Sequence, residues 1–371
     1  MVMTHHVQFG LDTFADVPAG MTNPEAIRAV VEEGVRADQV GVDIFAIGEH
    51  HRAEFVGESP ETMLAAIAAR TERITLATAV TVLSTDDPVR VYQRFATLDG
   101  ISNGRAELVL GRGSFTDSFP LFGYDLADYD ELFNEKFDLM AKLLPGAPVT
   151  WSGTLRSALD NVEVYPKTAE GLRAWVGVGG SPESVVRSVR YRIPMILAII
   201  GGNPMRFEPY VDLYRRAQRE LGVTEPMPLG IHSPGHIAES DEEAIAQYWP
   251  GFRELRTTIG RERGVAGPAL RGLSGGGEGR LVVRRVARHR GGQDGQDHSR
   301  SRCRQVQLGV SGRTAGVGHA ERGALWHRGH PARPGAVGRG RCWCRLGEVV
   351  GGQRLCDHLA RGIAHRDLDV R

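Results

Sequence analysis

Residues 74–83 read Ile-Thr-Leu-Ala-Thr-Ala-Val-Thr-Val-Leu. The run has no charge and is rich in β-branched residues, which favour strands. It has no polar face either. A strand apolar on both sides is covered on both sides, which is the mark of a parallel sheet layered with helices.

Outward from this strand, the chain repeats one pattern. Val7–Thr13, Asp43–Gly48, Ala106–Leu110, Ala174–Val178, Ile193–Ile200 and Leu229–His232 are further short apolar runs. Helical patterns fall between them. Pro24–Val40 carries Ile27, Val30, Val31 and Val35 at helical spacing, with Asn23 placed to cap it. Ser59-Pro60 opens a helix through Ala69, and Asp87-Pro88 opens one through Leu98. Asp128–Leu144, Glu183–Arg190, Pro204–Leu221 and Asp241–Ile259 complete the set, while Val149–Tyr165 reads as a small β excursion turning at Ser152-Gly153. Alternation of this kind builds a barrel or an open doubly wound sheet. The expected fold is α/β, a TIM-type (β/α)8 barrel left incomplete at about seven strands before Gly264.

Composition divides the chain there. Residues 1–264 hold 25 Lys+Arg against 37 Asp+Glu, whereas residues 265–371 hold 20 Arg, no Lys and 8 Asp+Glu. The second segment lacks Phe, Tyr, Met and Asn, and it holds Cys303, Cys342, Cys344 and Cys356. That cysteine spacing fits no common zinc pattern, so no metal is expected. Arg/Gly-rich sequence of this kind is typical of GC-rich DNA read out of frame. Moved forward one base, Arg280–His289 permits GSLYVGSPDT and Arg290–Ser301 permits the amphipathic VAAKMAKTIRAL. Leu325–Arg333 permits YGTEVIPRV. The reading is a barrel domain over 1–264 and an out-of-frame, irregular tail over 265–371. Such a tail should supply no paired eighth strand, and the product should be unstable. A basic tail binding nucleic acid is the competing reading. No run of apolar residues is long enough to span a membrane. The N-terminal residues lack a secretory pattern, which makes a cytoplasmic location the expectation.

Three motifs end strands, where the active sites of β/α barrels lie. Glu49-His50-His51 offers an imidazole for proton transfer, or a pair of structural histidines. Gly111-Arg112-Gly113-Ser114 sets a cation between glycines that permit close approach, or is an ordinary turn. Gly179-Gly180-Ser181-Pro182-Glu183 opens a helix whose free N–H groups suit an anion, or is a plain cap. Thr78-Ala79-Val80 by itself reads as core strand.

Together these motifs resemble the bacterial-luciferase-like monooxygenases. Glu-His-His, Thr-Ala-Val-Thr-Val-Leu, Asp-Pro-Val-Arg at 87–90, Gly-Arg-Gly and Leu-Phe-Gly at 121–123 follow in order, then Pro194-Met195-Ile196-Leu197 and Asp212-Leu213-Tyr214. The resemblance covers residues 7–264 and resumes in the shifted frame. It implies that His50 is the catalytic histidine. Ala79 and Val80 flank a non-proline cis peptide under the flavin, and Arg112 contacts the flavin. Ser181 and Ser184, beside Gly180, hold its phosphate. Gly111 stands where light-emitting members carry a reactive cysteine, and Gly180 where they carry an acidic residue, so light emission is not implied. The implied activity is oxygenation of a small organic substrate by dioxygen and reduced FMN, the latter supplied by a separate flavin reductase, with a homodimer common in the family. F420-dependent hydride transfer on the same fold is the alternative, and an inactive truncated remnant is a further one.

Overall fold

The computed structural model describes residues 6–113, 115–200, 204–238, 245–246, 248–254 and 257, together with the short strands 282–285, 306–309 and 341–343. Seven parallel strands come from the first 238 residues. They are β1 (His6–Thr13), β2 (Ile44–Ile47), β3 (Thr75–Thr78), β4 (Ala106–Gly111), β5 (Arg173–Val178), β6 (Met195–Ala198) and β7 (Leu229–Ala238). Each pairs in parallel with the next, from β1–β2 round to β6–β7. The sheet curls, and its inner face packs Ile44, Ala46, Ala77, Val109, Trp175 and Ile196 into one cluster. Its outer face packs against helices in a second, larger core.

The helices are α1 (Asn23–Gln39), α2 (Pro60–Ala68), α3 (Pro88–Ser102), α4 (Tyr129–Leu143), α5 (Pro182–Arg190) and α6 (Glu208–Glu220). Proline in the first turn starts five of them, where its missing N–H costs nothing. Thr22, not Asn23, occupies the α1 cap: its N–H donates to Glu25 Oε2 at 2.8 Å. Ser59 makes no side-chain cap bond. Asp87 does, accepting from the N–H groups of Val89 and Arg90, and α3 runs four residues past Leu98. Val149–Trp151 and Leu159–Val162 form the expected antiparallel excursion.

Two expectations are corrected. Residues 74–83 are not one strand. β3 stops at Thr78, the Ala79–Val80 peptide is cis, and Thr81–Val82 resumes pairing with β4. Ala77 faces Glu107 and Thr81 faces Leu110, so four steps on one strand meet three on the other. This one-residue surplus is a bulge, a device that re-aims side chains beside functional sites, and composition alone does not reveal it.

The second correction concerns the tail. Val306–Gly309, here β8, lies in parallel between β1 and β7, with Leu11 facing Leu308 and His232 facing Gln307. A paired eighth strand is therefore present. Two strand edges expose unpaired N–H and C=O groups, and backbone pairing demands no particular side chains. Four residues of an Arg/Gly-rich segment suffice. Val282–Arg285 pairs with the far end of β7, and Arg341–Trp343 with the start of β1. The division at residue 264 falls outside the described residues.

At the opposite end of the barrel from the strand-end motifs, Arg105 ties three elements together. Its guanidinium donates to the Ser102, Ile74, Ala68 and Thr71 carbonyls and to Thr71 Oγ1, at 2.7–3.1 Å. Arg105→Met removes every donor while keeping the stem. A loss of about 2 kcal/mol in urea unfolding is expected, since each lost bond to a charged donor is costly but partly replaced by water. An unchanged midpoint would show that the cluster is already hydrated.

Candidate active site

The C-terminal ends of β2 to β5 carry the strand-end motifs, of which Ser114 falls outside the described residues. His50 follows β2 and is buried. Phe14, Phe55 and Phe115 surround its ring, with centroids 4.9, 4.6 and 5.4 Å away. Among the described residues its buried Nε2 has no hydrogen-bond partner. Gly48 lies between it and the cis peptide: a side chain on Gly48 would meet Nε2 at 3.0 Å and the Ala79 carbonyl oxygen at 3.3 Å. His50 and Ala79 therefore share one small space.

Burial in this aromatic cage holds the His50 pKa down to about 3, with the His51 and Arg52 charges adding to the effect. Near neutral pH the ring is an uncharged imidazole. It can donate or accept one hydrogen bond at Nε2, according to tautomer, but it does not serve as a cationic acid.

Val80 points between two glycines. A β-carbon at Gly111 would lie 2.6 Å from Val80 Cγ2, and one at Gly177 would lie 3.1 Å from Val80 Cγ1. Glu49 fastens the strand residues beyond Val80. Its Oε2 accepts from the Val82 N–H at 2.8 Å, and its Oε1 lies 2.9 Å from His51 Nε2. The Glu-His-His motif thus holds the segment after the cis peptide as well as presenting His50. Motif reading assigned Glu49 no such part.

Arg112 leaves the barrel axis. Its Nη1 lies 2.5 Å from Asp130 Oδ1, and its guanidinium stacks over Tyr129 and Phe133 of α4. Arg187 of α5 stacks over the same Phe133. Burial lowers the Arg187 pKa, and the neighbouring Arg112 charge lowers it further. Ser181 caps α5: its Oγ accepts from the Ser184 N–H at 3.3 Å and donates to Glu183 Oε2 at 2.7 Å. That hydrogen bond is the main reason the Glu183 carboxyl lies below its usual pKa, and Arg112 and Arg187 add to it. Gly180 has φ +134°, and its carbonyl accepts from Tyr210 Oη at 2.7 Å.

The structure therefore gathers the anticipated residues in two groups. His50, Ala79 and Val80 sit on the axis, and Arg112, Gly180, Ser181 and Ser184 sit on the rim by α4 and α5. Val80 against Gly111 joins the groups. Ser181→Ala removes the α5 cap and is expected to lower stability by about 1 kcal/mol, read from the thermal midpoint. No change would mean that Glu183 alone sustains the cap.

Sequence reading missed one pair. Asp12, near the end of β1, and His232, in β7, are both buried, with Oδ2 and Nδ1 2.9 Å apart. A carboxylate within the β1 run, next to the strand end, was the available signal. Among the described residues, no group of His, Cys, Asp or Glu could hold a metal, and no helix is long and apolar enough to cross a membrane.

Fold and site together define a parallel β/α barrel with its polar groups gathered at the C-terminal mouth. The chain belongs to the luciferase-like monooxygenases, whose family model matches residues 7–344. Limonene 1,2-monooxygenase of Rhodococcus erythropolis is 31% identical over 240 residues, 62% of this chain and 60% of that protein. F420-dependent glucose-6-phosphate dehydrogenase of Intrasporangium calvum is 34% identical over 166 residues, 41% of this chain and 48% of that one. The matches thus span less than two thirds of these relatives. The crystal structure of monooxygenase RslO1 from Streptomyces bottropensis superposes with a TM-score of 0.61 at 26% identity, covering 70% of this chain and 79% of that one.

Proposed function

We propose that this chain is the oxygenating component of a flavin-dependent monooxygenase that binds reduced FMN from a separate flavin reductase and oxygenates a small organic substrate with dioxygen. The observation that carries the reading is the buried, unpartnered His50 Nε2, set beside the Ala79 carbonyl in a space that a side chain on Gly48 would fill. A buried polar atom without a partner is costly unless a ligand completes it. FMN, when bound, supplies the redox chemistry and the activation of dioxygen. The protein's own residues do the rest. His50 hydrogen-bonds as a neutral imidazole at Nε2. The ring cage of Phe14, Phe55 and Phe115 excludes water. Arg112 and the capped start of α5, with Ser181 and Ser184, supply positive charge and N–H donors suited to a phosphate.

A second reading is F420-dependent hydride transfer, favoured by the F420-dependent relative. Equilibrium titration with FMN and with F420, following flavin or deazaflavin fluorescence, separates the two. FMN quenched by wild type but bound more weakly by Ser181→Ala is the expected result. Binding of F420 alone favours the second reading, and binding of neither ends both. We further propose that residues 265–371 are read in a shifted frame, for which their composition is the support. Resequencing the DNA across codons 260–270 tests it, and an intact frame overturns it.

A further inference from the structure

His50 is not the one imidazole at the barrel mouth. Asp12 pairs in register with Ala46, and His232 with Ala198. Ala46 belongs to the inner cluster, and side chains alternate along a strand, so both polar residues face the barrel interior. They flank the β1–β7 seam, on either side of β8. Phe14 joins the two histidines. Its ring is edge-on to His50 at 4.9 Å and stacked with His232 at 6.4 Å.

The two imidazoles differ in what backs them. His50 has aromatic rings around it and is kept neutral. His232 has a carboxylate 2.9 Å from Nδ1. Among the described residues neither Asp12 oxygen has a hydrogen-bond partner, since the 2.9 Å approach falls outside hydrogen-bonding angles, so His232 is its polar neighbour through charge. A small rotation of the imidazole aligns the two. A carboxylate at Nδ1 fixes the tautomer, leaves Nε2 as the basic nitrogen and stabilises the imidazolium formed when Nε2 takes a proton. Buried without such a partner, the carboxylate would be costly.

We propose that Asp12 and His232 form an acid–base pair that accepts a proton from a substrate hydroxyl, and that the substrate is accordingly a phenol or an enol. The inference rests on the monooxygenase reading. In the step, the substrate O–H bond breaks and an Nε2–H bond forms. The electron pair stays on the substrate oxygen, and nothing is oxidised or reduced. The proton later returns to the product or to solvent. Imidazole is matched to a hydroxyl on an unsaturated carbon, whose acidity is near the phenol value of about 10, and not to a far weaker aliphatic alcohol. Ionisation also enriches the ring carbons ortho and para to that oxygen, or the far carbon of the enol double bond, in electrons, which suits attack by an electrophilic oxygen donor.

The test uses 4-nitrophenol, whose phenolate is yellow, with the full-length chain at one pH unit below the phenol's own pKa. Wild type is expected to bind it as phenolate, raising visible absorbance about ten-fold for the bound probe, since one pH unit below its pKa only about a tenth of the free phenol is ionised. His232→Gln should abolish the rise, and Asp12→Asn should reduce it. Absence of binding, binding without the rise, or an equal rise in His232→Gln overturns the proposal. Should the variants lose their cooperative melt, imidazole 15N chemical shifts of wild type decide instead. A proton on Nδ1 of His232 is expected, and one confined to Nε2 overturns it. FMN quenching in the same samples keeps the two ideas apart. FMN bound with no phenolate sinks the acid–base pair alone, whereas failure of FMN to bind sinks the monooxygenase reading.

Discussion

Lowering the pH from 7 to 5 should weaken the fold by about 2 kcal/mol through one side chain, His50. Its pKa in the folded chain is about 3, held down first by burial, whereas an unfolded histidine titrates near 6.5. Below that value the unfolded chain takes up a proton that the folded chain refuses. Stability from this group is therefore complete above about pH 6.5 and is lost as pH falls toward 3. The mechanism is local, because the ring is caged by Phe14, Phe55 and Phe115 and its Nε2 has no acceptor to share a proton with. Carboxylates titrate over part of the same range, so the contribution of His50 is isolated by difference. Urea midpoints of wild type and His50→Gln should converge as pH falls, the variant losing about 2 kcal/mol less. Parallel slopes would show that the ring protonates freely, and hence that the cage is open to water.

The strand pattern was legible because a buried parallel strand has no polar face. Five of the runs match their strands within two residues, whereas Ile74–Leu83 overruns β3 by five residues and Leu229–His232 stops six short of the end of β7. Helix starts were legible where a proline fixed the first turn, and less so at caps, since Thr22 and Asn23 are both good cap residues. Ile27, counted on the apolar face of α1, is 40% exposed, so helical spacing fixed the face but not its edge. The break at Ala79–Val80 was invisible to periodicity, because residues 74–83 remain apolar through it. It was the resemblance that pointed to it. The eighth strand was illegible for the opposite reason. Val306–Gly309 pairs through backbone atoms, and nothing in its composition marks it. His50 was legible as a motif, yet its cage needs Phe14 and Phe115, both distant in sequence, as well as the nearby Phe55. Asp12 and His232 are 220 positions apart in the numbering, and only closure of the barrel brings them together.

The packing of Val80 gives the second large effect. Gly111→Cys is expected to destabilise the chain by about 3 kcal/mol, the upper range for overpacking a filled interior. The β-carbon it adds would sit 2.6 Å from Val80 Cγ2 and 3.0 Å from Val80 Cβ and Cγ1, distances that side chains do not tolerate. Val80 has little room to retreat, because Gly177 already lies against its other methyl group. Both glycines are therefore places where the barrel wall is cut away to admit a branched side chain, and the fold does not demand glycine there for backbone freedom, since neither has positive φ. The thermal midpoint should fall by about 8 °C at this chain length. Val80→Ala should cost less alone and should restore most of the loss when combined with Gly111→Cys, a coupling of about 2 kcal/mol expected for residues in direct contact. Additive losses would mean that Gly111 is kept for another reason, such as close approach of a ligand to the strand end. A reactive thiol at this position, as in the light-emitting members of the family, thus requires a smaller residue in place of Val80, and the two positions have to be exchanged together.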